Sequence, residues 1–333
     1  KKQPFPRQYL VVGAAVLLVF LLGGGLAYAI VSGKTRSEGW QRAQVPNYGT
    51  DEPLPHTSST VARRLDGAQV SPEVASLRPW AFVIDNQVDA RPAEGLDQAS
   101  LVIEAPVEGG ITRLLAFFDP ALASSTKIGA VRSARPYFVE WAEGWKAVFG
   151  HVGGSPEALE KLTRIPSSSV LDVNEMVKAN AYWRDARRVS PHQVLTSVER
   201  FSAFIGPVAT SSAAFSSWSY TQEPIPGVSS TVAVPSVRIP YGGSYTVRWT
   251  YDATTQRYRR TQATAAISRE PLFFTNVVVI KTEATILDNA GRLRLRTTGS
   301  GDAVIYRDGH SSFATFGTNK ISSLGPVAFT SVY

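Results

Sequence analysis

Residues Tyr9–Val31 read YLVVGAAVLLVFLLGGGLAYAIV, an uncharged run of 23 residues. No other stretch constrains the chain so strongly, because about 20 apolar residues are enough for a helix to cross the hydrocarbon core of a bilayer. Lys1, Lys2 and Arg7 precede the run, and Lys34 and Arg36 follow it. That slight excess favours residues 1–8 in the cytoplasm and the body on the opposite side. Ala27-Tyr28-Ala29 has the small-x-small form of a signal-peptidase site, so a cleaved signal peptide stays open as the alternative. The apolar run is longer than the roughly 7–15 residues of a signal-peptide core, which favours a retained anchor. The expectation is a single transmembrane helix at 9–31 in the plasma membrane, with an extracytoplasmic body.

Export gives the composition its meaning. The chain has no cysteine. Disulfides, thiolate metal sites, iron–sulfur clusters, cysteine nucleophiles and the lipid-bearing cysteine of a lipoprotein are all excluded for this sequence. Residues 235–333 carry twelve Lys/Arg against six Asp/Glu, whereas 75–200 are nearly balanced, with fourteen against fifteen. A basic C-terminal third outside the membrane suits an anionic wall polymer or anionic lipid. The same location argues against nucleic acid as a partner.

Residues 32–75 contain Pro46, Pro53, Pro55 and Pro72 among Ser/Thr clusters and read as an extracytoplasmic tether. A first domain is expected over 76–206. Pro79–Asn86 (PWAFVIDN), Ser100–Val107, Ile111–Phe118, Thr126–Val131 and Ala147–Val152 read as strands, with Glu108-Gly109-Gly110 as a hairpin-type turn. Residues 134–146 place Phe138, Trp141 and Trp145 on one helical face. Ser155-Pro156-Glu157 opens another helix, and Ser197 caps a third over Ser197–Ile205. The alternation predicts an α/β or α+β domain with a mixed sheet. Residues 207–234, rich in Ser, Thr, Ala and Pro, read as a linker. From 235 to 333, short runs between Gly, Asn and Asp turns predict a β-rich second domain: Val237–Tyr241, Tyr245–Tyr251, Arg257–Thr261, Asn276–Lys281, Leu293–Thr297 and Ala303–Tyr306. Asp308-Gly309 is placed to close a late hairpin, and no internal repeat is present.

The chain has no G-x-S-x-G, H-E-x-x-H or Walker loop, and no G-x-G-x-x-G after a strand. What remains is polar residues at element ends. Ile128–Arg135 (IGAVRSAR) runs from a strand into a helix, with Arg132 and Arg135 at the helix start. Cations are unfavourable there unless an anion compensates, so Arg132, Ser133, Arg135 and the free amides are candidates to hold phosphate or carboxylate. The competing reading makes Glu104 or Glu108 that anion, in an internal ion pair. His151-Val-Gly-Gly-Ser155-Pro156 is a second junction of the same kind, and His151 is equally readable as a structural histidine. Glu104 and Glu108 share strand parity and are candidates, with His151, for acid–base work. Asp85, Asn86 and Arg113 lie at neighbouring strand ends, while Arg184, Asp185 and His192 lie in a polar segment expected to be loop. A mixed site of Asp85, the two glutamates, His151 and His192 lacks tight ligand spacing, so no metal or other cofactor is expected.

Five of these stretches carry a resemblance. Pro79–Asn86, EAPVEGGITRLL (104–115), IGAVRSARPYF (128–138), HVGGSP (151–156) and YWRDARRVSPHQVLTS (182–197) are similar to the YerB-like family of bacterial envelope proteins. VRIPYGGSYTVRWTYDATTQRY (237–258) and NVVV (276–279) resemble that family's second domain. The resemblance implies a membrane-anchored, two-domain extracytoplasmic protein and supplies no reaction. The family's lipoprotein cysteine has no counterpart here, which strengthens the expectation of a helical anchor. The family pattern also implies a further glycine-containing, tryptophan-bearing closing strand after Tyr333. The leading functional expectation is an envelope binding or regulatory module for an anionic or glycan ligand, or for a wall-assembly protein. The alternative is an enzyme on a phosphorylated or glycosidic wall substrate. A structural role within a membrane complex ranks third.

Overall fold

The six residues Trp80–Asp85 (WAFVID) leave almost no polar side chain for solvent, as expected of a strand covered on both faces. The computed structural model describes residues 60–318, apart from 123, 217, 219–231 and 263–264. The expected anchor Tyr9–Val31, residues 1–8 and most of the tether lie outside the described residues, as do residues 319–333. Among the described residues no helix is long and apolar enough to cross a membrane.

After a short ribbon of β1 (Val61–Ala62) and β2 (Gln69–Val70), Trp80–Asp85 forms β3. It is the middle of a five-stranded sheet with β4 (Leu101–Pro106), β5 (Thr112–Phe118), β7 (Val148–His151) and β8 (Leu171–Asn174), in the order β4-β5-β3-β7-β8. The pairs β4–β5 and β5–β3 are antiparallel, and β3–β7 and β7–β8 are parallel, so the sheet is mixed, as expected. Alternate residues of β3 and β5 feed two cores. Ala81, Val83, Leu115 and Phe117 meet Tyr137, Phe138 and Trp141 of α1 (Pro136–Gly144) and Leu162 of α2 (Pro156–Arg164). Trp80, Phe82, Ile84, Leu114 and Phe118 meet α3 (Val198–Ile205) and a side sheet of β6 (Lys127–Gly129), β9 (Trp183–Arg184) and β10 (Val194–Ser197). The hydroxyls of Ser155 and Ser197 cap α2 and α3, accepting from the N–H groups of Ala158 and Arg200. Gly109 and Gly110 take the left-handed backbone of the turn between β4 and β5, which costs glycine little.

Four expectations need correction. The domain begins earlier than residue 76, because Leu65 is buried in the core and Arg63 pairs with Asp119. It ends later than residue 206, because Phe215 joins the same core and Ala213 donates to the Ser76 carbonyl. The strand expected at Thr126–Val131 is only Lys127–Gly129, and it belongs to the side sheet. The polar segment expected as loop, Trp183–His192, begins with a strand of that sheet, β9, and β10 follows directly after it.

The second domain is strand-rich, as expected. One antiparallel sheet contains β12 (Ser236–Ile239), β13 (Val247–Asp252), β14 (Arg257–Gln262) and β15 (Leu272–Phe274) in sequence order. The other contains β11 (Val232–Ala233), β20 (His310–Thr318), β19 (Gly299–Arg307) and β16 (Asn276–Ile280). A ribbon of β17 (Ala284–Ile286) and β18 (Leu293–Leu295) completes it. Asp308-Gly309 closes the β19–β20 hairpin with both residues at positive φ, as its two-residue loop requires. Leu272 enters the core beneath the side sheet and Leu295 the core beneath α1. The two domains therefore share buried surface.

Candidate functional site

The parallel strands β3, β7 and β8 end on the same side of the sheet, where ligands gather in folds of this kind. Antiparallel β5 starts there, which sets Arg113 opposite Asp85. The chain then returns through Arg132, Ser133 and Arg135 to α1. This local path brings three arginines from two segments to one end of the sheet.

Asp85 is buried at the centre. Its Oδ2 accepts from His192 Nδ1 at 2.6 Å and lies 2.9 Å from Arg132 Nε, while its Oδ1 accepts the Gln87 N–H. The Arg132 contact is an ion pair without the alignment of a hydrogen bond, since that Nε has no hydrogen-bonded partner. Arg135, the N-cap residue of α1, donates from Nε to Glu108 Oε2 at 2.9 Å and pairs with Oε1 through Nη2. Arg113 is 5 % exposed and has no ion pair among the described residues. Its Nη1 donates to the Ser133 carbonyl at 3.0 Å, and its Nε is buried without a partner. Burial pushes the Arg113 guanidinium down to about 10, Arg135 and Arg132 add to the shift, and Asp85 and Glu108 oppose it.

A second group adjoins the first across the domain boundary. Arg260 of β14 donates from Nη2 to both Glu104 oxygens, at 3.1 and 2.9 Å. Glu104 Oε1 also accepts from Thr112 at 2.7 Å and from Asn86 Nδ2 at 3.3 Å. Tyr241 donates to the Glu104 carbonyl, and burial beside that carboxylate raises its hydroxyl pKa. Arg91 donates to Asn86 and lies over the Tyr245 ring.

The expected carboxylate pair is not formed. Glu108 lies beyond β4, in the 3-10 turn Glu108–Gly110, so strand parity does not apply to it. Glu104 turns to the second domain and Glu108 to Arg135, so the two carboxylates serve different arginines. The internal ion-pair alternative thus describes Arg135 with Glu108, and Asp85 plays the same part for Arg132. His151 is fully buried, with Nδ1 at 2.7 Å from the Gly153 carbonyl, Nε2 at 2.8 Å from Asp172, and its ring stacked on Phe149. Those contacts tie it to its own loop and to the neighbouring strand β8 rather than to the arginines. Ser155 is committed as a helix cap. Arg184 pairs with Glu175, and Asp185 pairs with exposed Arg187, which holds its carboxyl far below the usual range. Neither joins the cluster, whereas His192 from the same segment does. Sequence reasoning missed Arg91, Thr112, Tyr241, Tyr245 and Arg260. Only Arg260 left a signal, as a charged residue on the parity of β14 that buries Tyr258.

The Glu108 carboxyl links this geometry to pH. Burial raises its pKa, but the Arg135 hydrogen bond, a backbone N–H and the Arg135 and Arg113 charges outweigh burial and leave it below its ordinary 4.5. A depressed folded pKa contributes stability that is present above the unfolded value and lost as pH falls through the folded value. Urea denaturation midpoints of the wild-type protein are therefore expected to fall more steeply than those of Glu108→Gln below about pH 4.5. Parallel curves would show that the pair contributes nothing to acid sensitivity.

Comparison with known proteins places this geometry in a family. A model for the N-terminal domain of the DUF3048 proteins of unknown function matches residues 65–211, and one for their C-terminal domain matches residues 237–322. A protein of Bacillus subtilis (strain 168) named as a candidate lipoprotein, YerB, is 28% identical over 270 residues, covering 77% of this chain and 78% of its own length. The crystal structure of YerB from Bacillus subtilis superposes with a TM-score of 0.69 at 25% identity, covering 81% of this chain and 93% of YerB. Two matched domains in the same order, and one shared fold, mean that the chain belongs to the YerB-like, two-domain DUF3048 family.

Proposed function

We propose that this protein is a membrane-anchored, extracytoplasmic binding protein of the bacterial envelope, holding an anionic group of its ligand at Arg113, Arg132 and Arg135. One observation carries the reading: at this end of the sheet four guanidinium groups (Arg113, Arg132, Arg135 and Arg260) meet three carboxylates (Asp85, Glu104 and Glu108) among the described residues, and Arg113 is the one without an ion pair there. A buried positive surplus is costly unless an anion from outside balances it. Arg113 has an unused donor, and Arg132 retains solvent access, with 17% of its side chain exposed. A phosphate or carboxylate there would receive charge-assisted hydrogen bonds and face the start of α1. The location rests on the apolar run Tyr9–Val31 and on the lipoprotein name of the Bacillus relative. An enzymatic reading has less support, because Glu104 is engaged by Arg260 and His151 by Asp172.

Isothermal titration of the full chain in detergent with inorganic pyrophosphate, at low salt, tests the site. Binding is expected, and Arg132→Ala is expected to weaken it by about tenfold, the loss of one charged hydrogen bond. Arg113→Met is expected to weaken it further, with folding of each variant checked by circular dichroism. Wild-type affinity in both folded variants would refute the site.

A further inference from the structure

The sheet β12-β13-β14-β15 has two unlike faces. Val247, Tyr258, Arg260 and Leu272 are buried, so one face packs inward. The alternate residues Arg238, Arg248, Thr250, Arg257, Arg259 and Thr261 are all exposed. Register sets Arg238 directly opposite Arg248, Arg248 opposite Thr261, and Thr250 opposite Arg259. Like charges directly across a ladder are destabilising, so this arrangement is not one that folding favours.

Among the described residues, Asp252 opposite Arg257 is the one acid that the strand register sets against these arginines. The ion pairs of the second domain engage Arg260, Arg269, Arg292, Arg296 and Arg307, and none among the described residues engages Arg238, Arg248, Arg257 or Arg259. Asp252, the acid opposite Arg257, is committed to its turn, accepting the Thr254 and Thr255 N–H groups. Arg248 donates to the Ser236 hydroxyl, which leaves its charge unbalanced. Strand spacing and rise separate neighbouring guanidinium groups by about 5 to 8 Å at their backbones, in a staggered row across three strands.

We propose that this outward face is a second anion-binding surface, separate from the arginine cluster of the first domain, and that its ligand is a linear phosphodiester polymer. A flat row of cations separated by hydroxyls suits a chain of repeated charges and has no pocket to select a single one. Phe273, half-buried opposite Arg259, is the one aromatic that the register places on this face, and the fully exposed residues of the face include neither a series of aromatics on which successive bases could stack nor a large apolar side chain that could enter a bilayer. Those absences favour a polyol-phosphate chain over nucleic acid or a membrane surface.

Fluorescence anisotropy with labelled poly(glycerol phosphate) on the full chain in detergent provides the test. Binding is expected to weaken with salt, and glycerol phosphate monomer is expected not to compete at equal phosphate concentration. Arg248→Thr with Arg259→Thr is expected to weaken polymer binding by at least about tenfold at low salt and to reduce the log–log salt slope by about 0.7 per arginine removed. The charge-matched control Arg164→Thr with Arg187→Thr, both exposed residues of the first domain, is expected to retain wild-type binding. Equal weakening by both double variants would overturn the proposal, and so would binding of phosphatidylglycerol vesicles without binding of the polymer. Pyrophosphate titration of the Arg248/Arg259 variant separates this surface from the first-domain cluster: polymer binding that is lost while pyrophosphate binding persists supports two sites.

Discussion

Arg260→Met is expected to lower the stability of the protein by about 3–5 kcal/mol, the range for stranding one member of a buried ion pair. The Arg260 side chain is 2% exposed and that of Glu104 is 12% exposed, so neither charge is well hydrated. Without the guanidinium, Glu104 keeps only the Thr112 hydroxyl and the Asn86 amide, two neutral donors for a buried carboxylate. Because the pair joins β14 of the second domain to β4 of the first, the loss falls on the seam between the domains. Adding Glu104→Gln is expected to restore much of the stability, because the amide oxygen still accepts from Thr112 and no charge remains to be solvated. Urea denaturation of the four proteins of this cycle gives the coupling energy, expected to exceed about 2 kcal/mol. If the double variant is as unstable as the sum of the single variants, the ion pair is not what makes Arg260 important.

Glu104 also shows where sequence reasoning ends. Its position on a strand was legible from alternation in SLVIEAPV, but its partner lies 156 residues away in another domain. No local pattern links the two. The legible features were those that depend on near neighbours: the apolar run of β3, the serine caps of α2 and α3, and the Asp308-Gly309 turn. The features missed depend on tertiary packing. Trp183–Arg184 and Val194–Ser197 are too short and too polar in their surroundings to declare themselves as strands before β6 is beside them. Leu65 and Phe215 lie in segments whose proline and serine content resembles linker, yet single apolar side chains commit both segments to the core. Within the arginine cluster, the helix-start argument located Arg132 and Arg135, while the buried state of Arg113 required the β3–β5 register.

Phe201→Ala is the second substitution with a large expected effect, about 3–5 kcal/mol. Phe201 is fully buried, and its ring centroid lies 5.2 Å from Trp80, 4.7 Å from Phe82 and 6.1 Å from Tyr182. These partners come from the central strand and from the turn leading to the side sheet, so one ring of α3 spans two layers. Truncation opens a cavity that the flanking elements cannot easily close. Phe82 packs against Gly150 so closely that an added Cβ on Gly150 would lie 2.3 Å from its ring, and Tyr182 is fixed by its hydrogen bond to the Val173 carbonyl. With neighbours held on both sides, most of the transfer and cavity cost should appear in the measured stability. Phe201→Leu keeps most of the volume while losing the edge-to-face contacts, and is expected to cost less than half as much as alanine. Thermal and urea denaturation would rank the two. Equal losses would mean that the aromatic contacts, rather than the volume, hold α3 on the sheet, whereas a loss below about 1 kcal/mol for alanine would mean that α3 contributes little to the core.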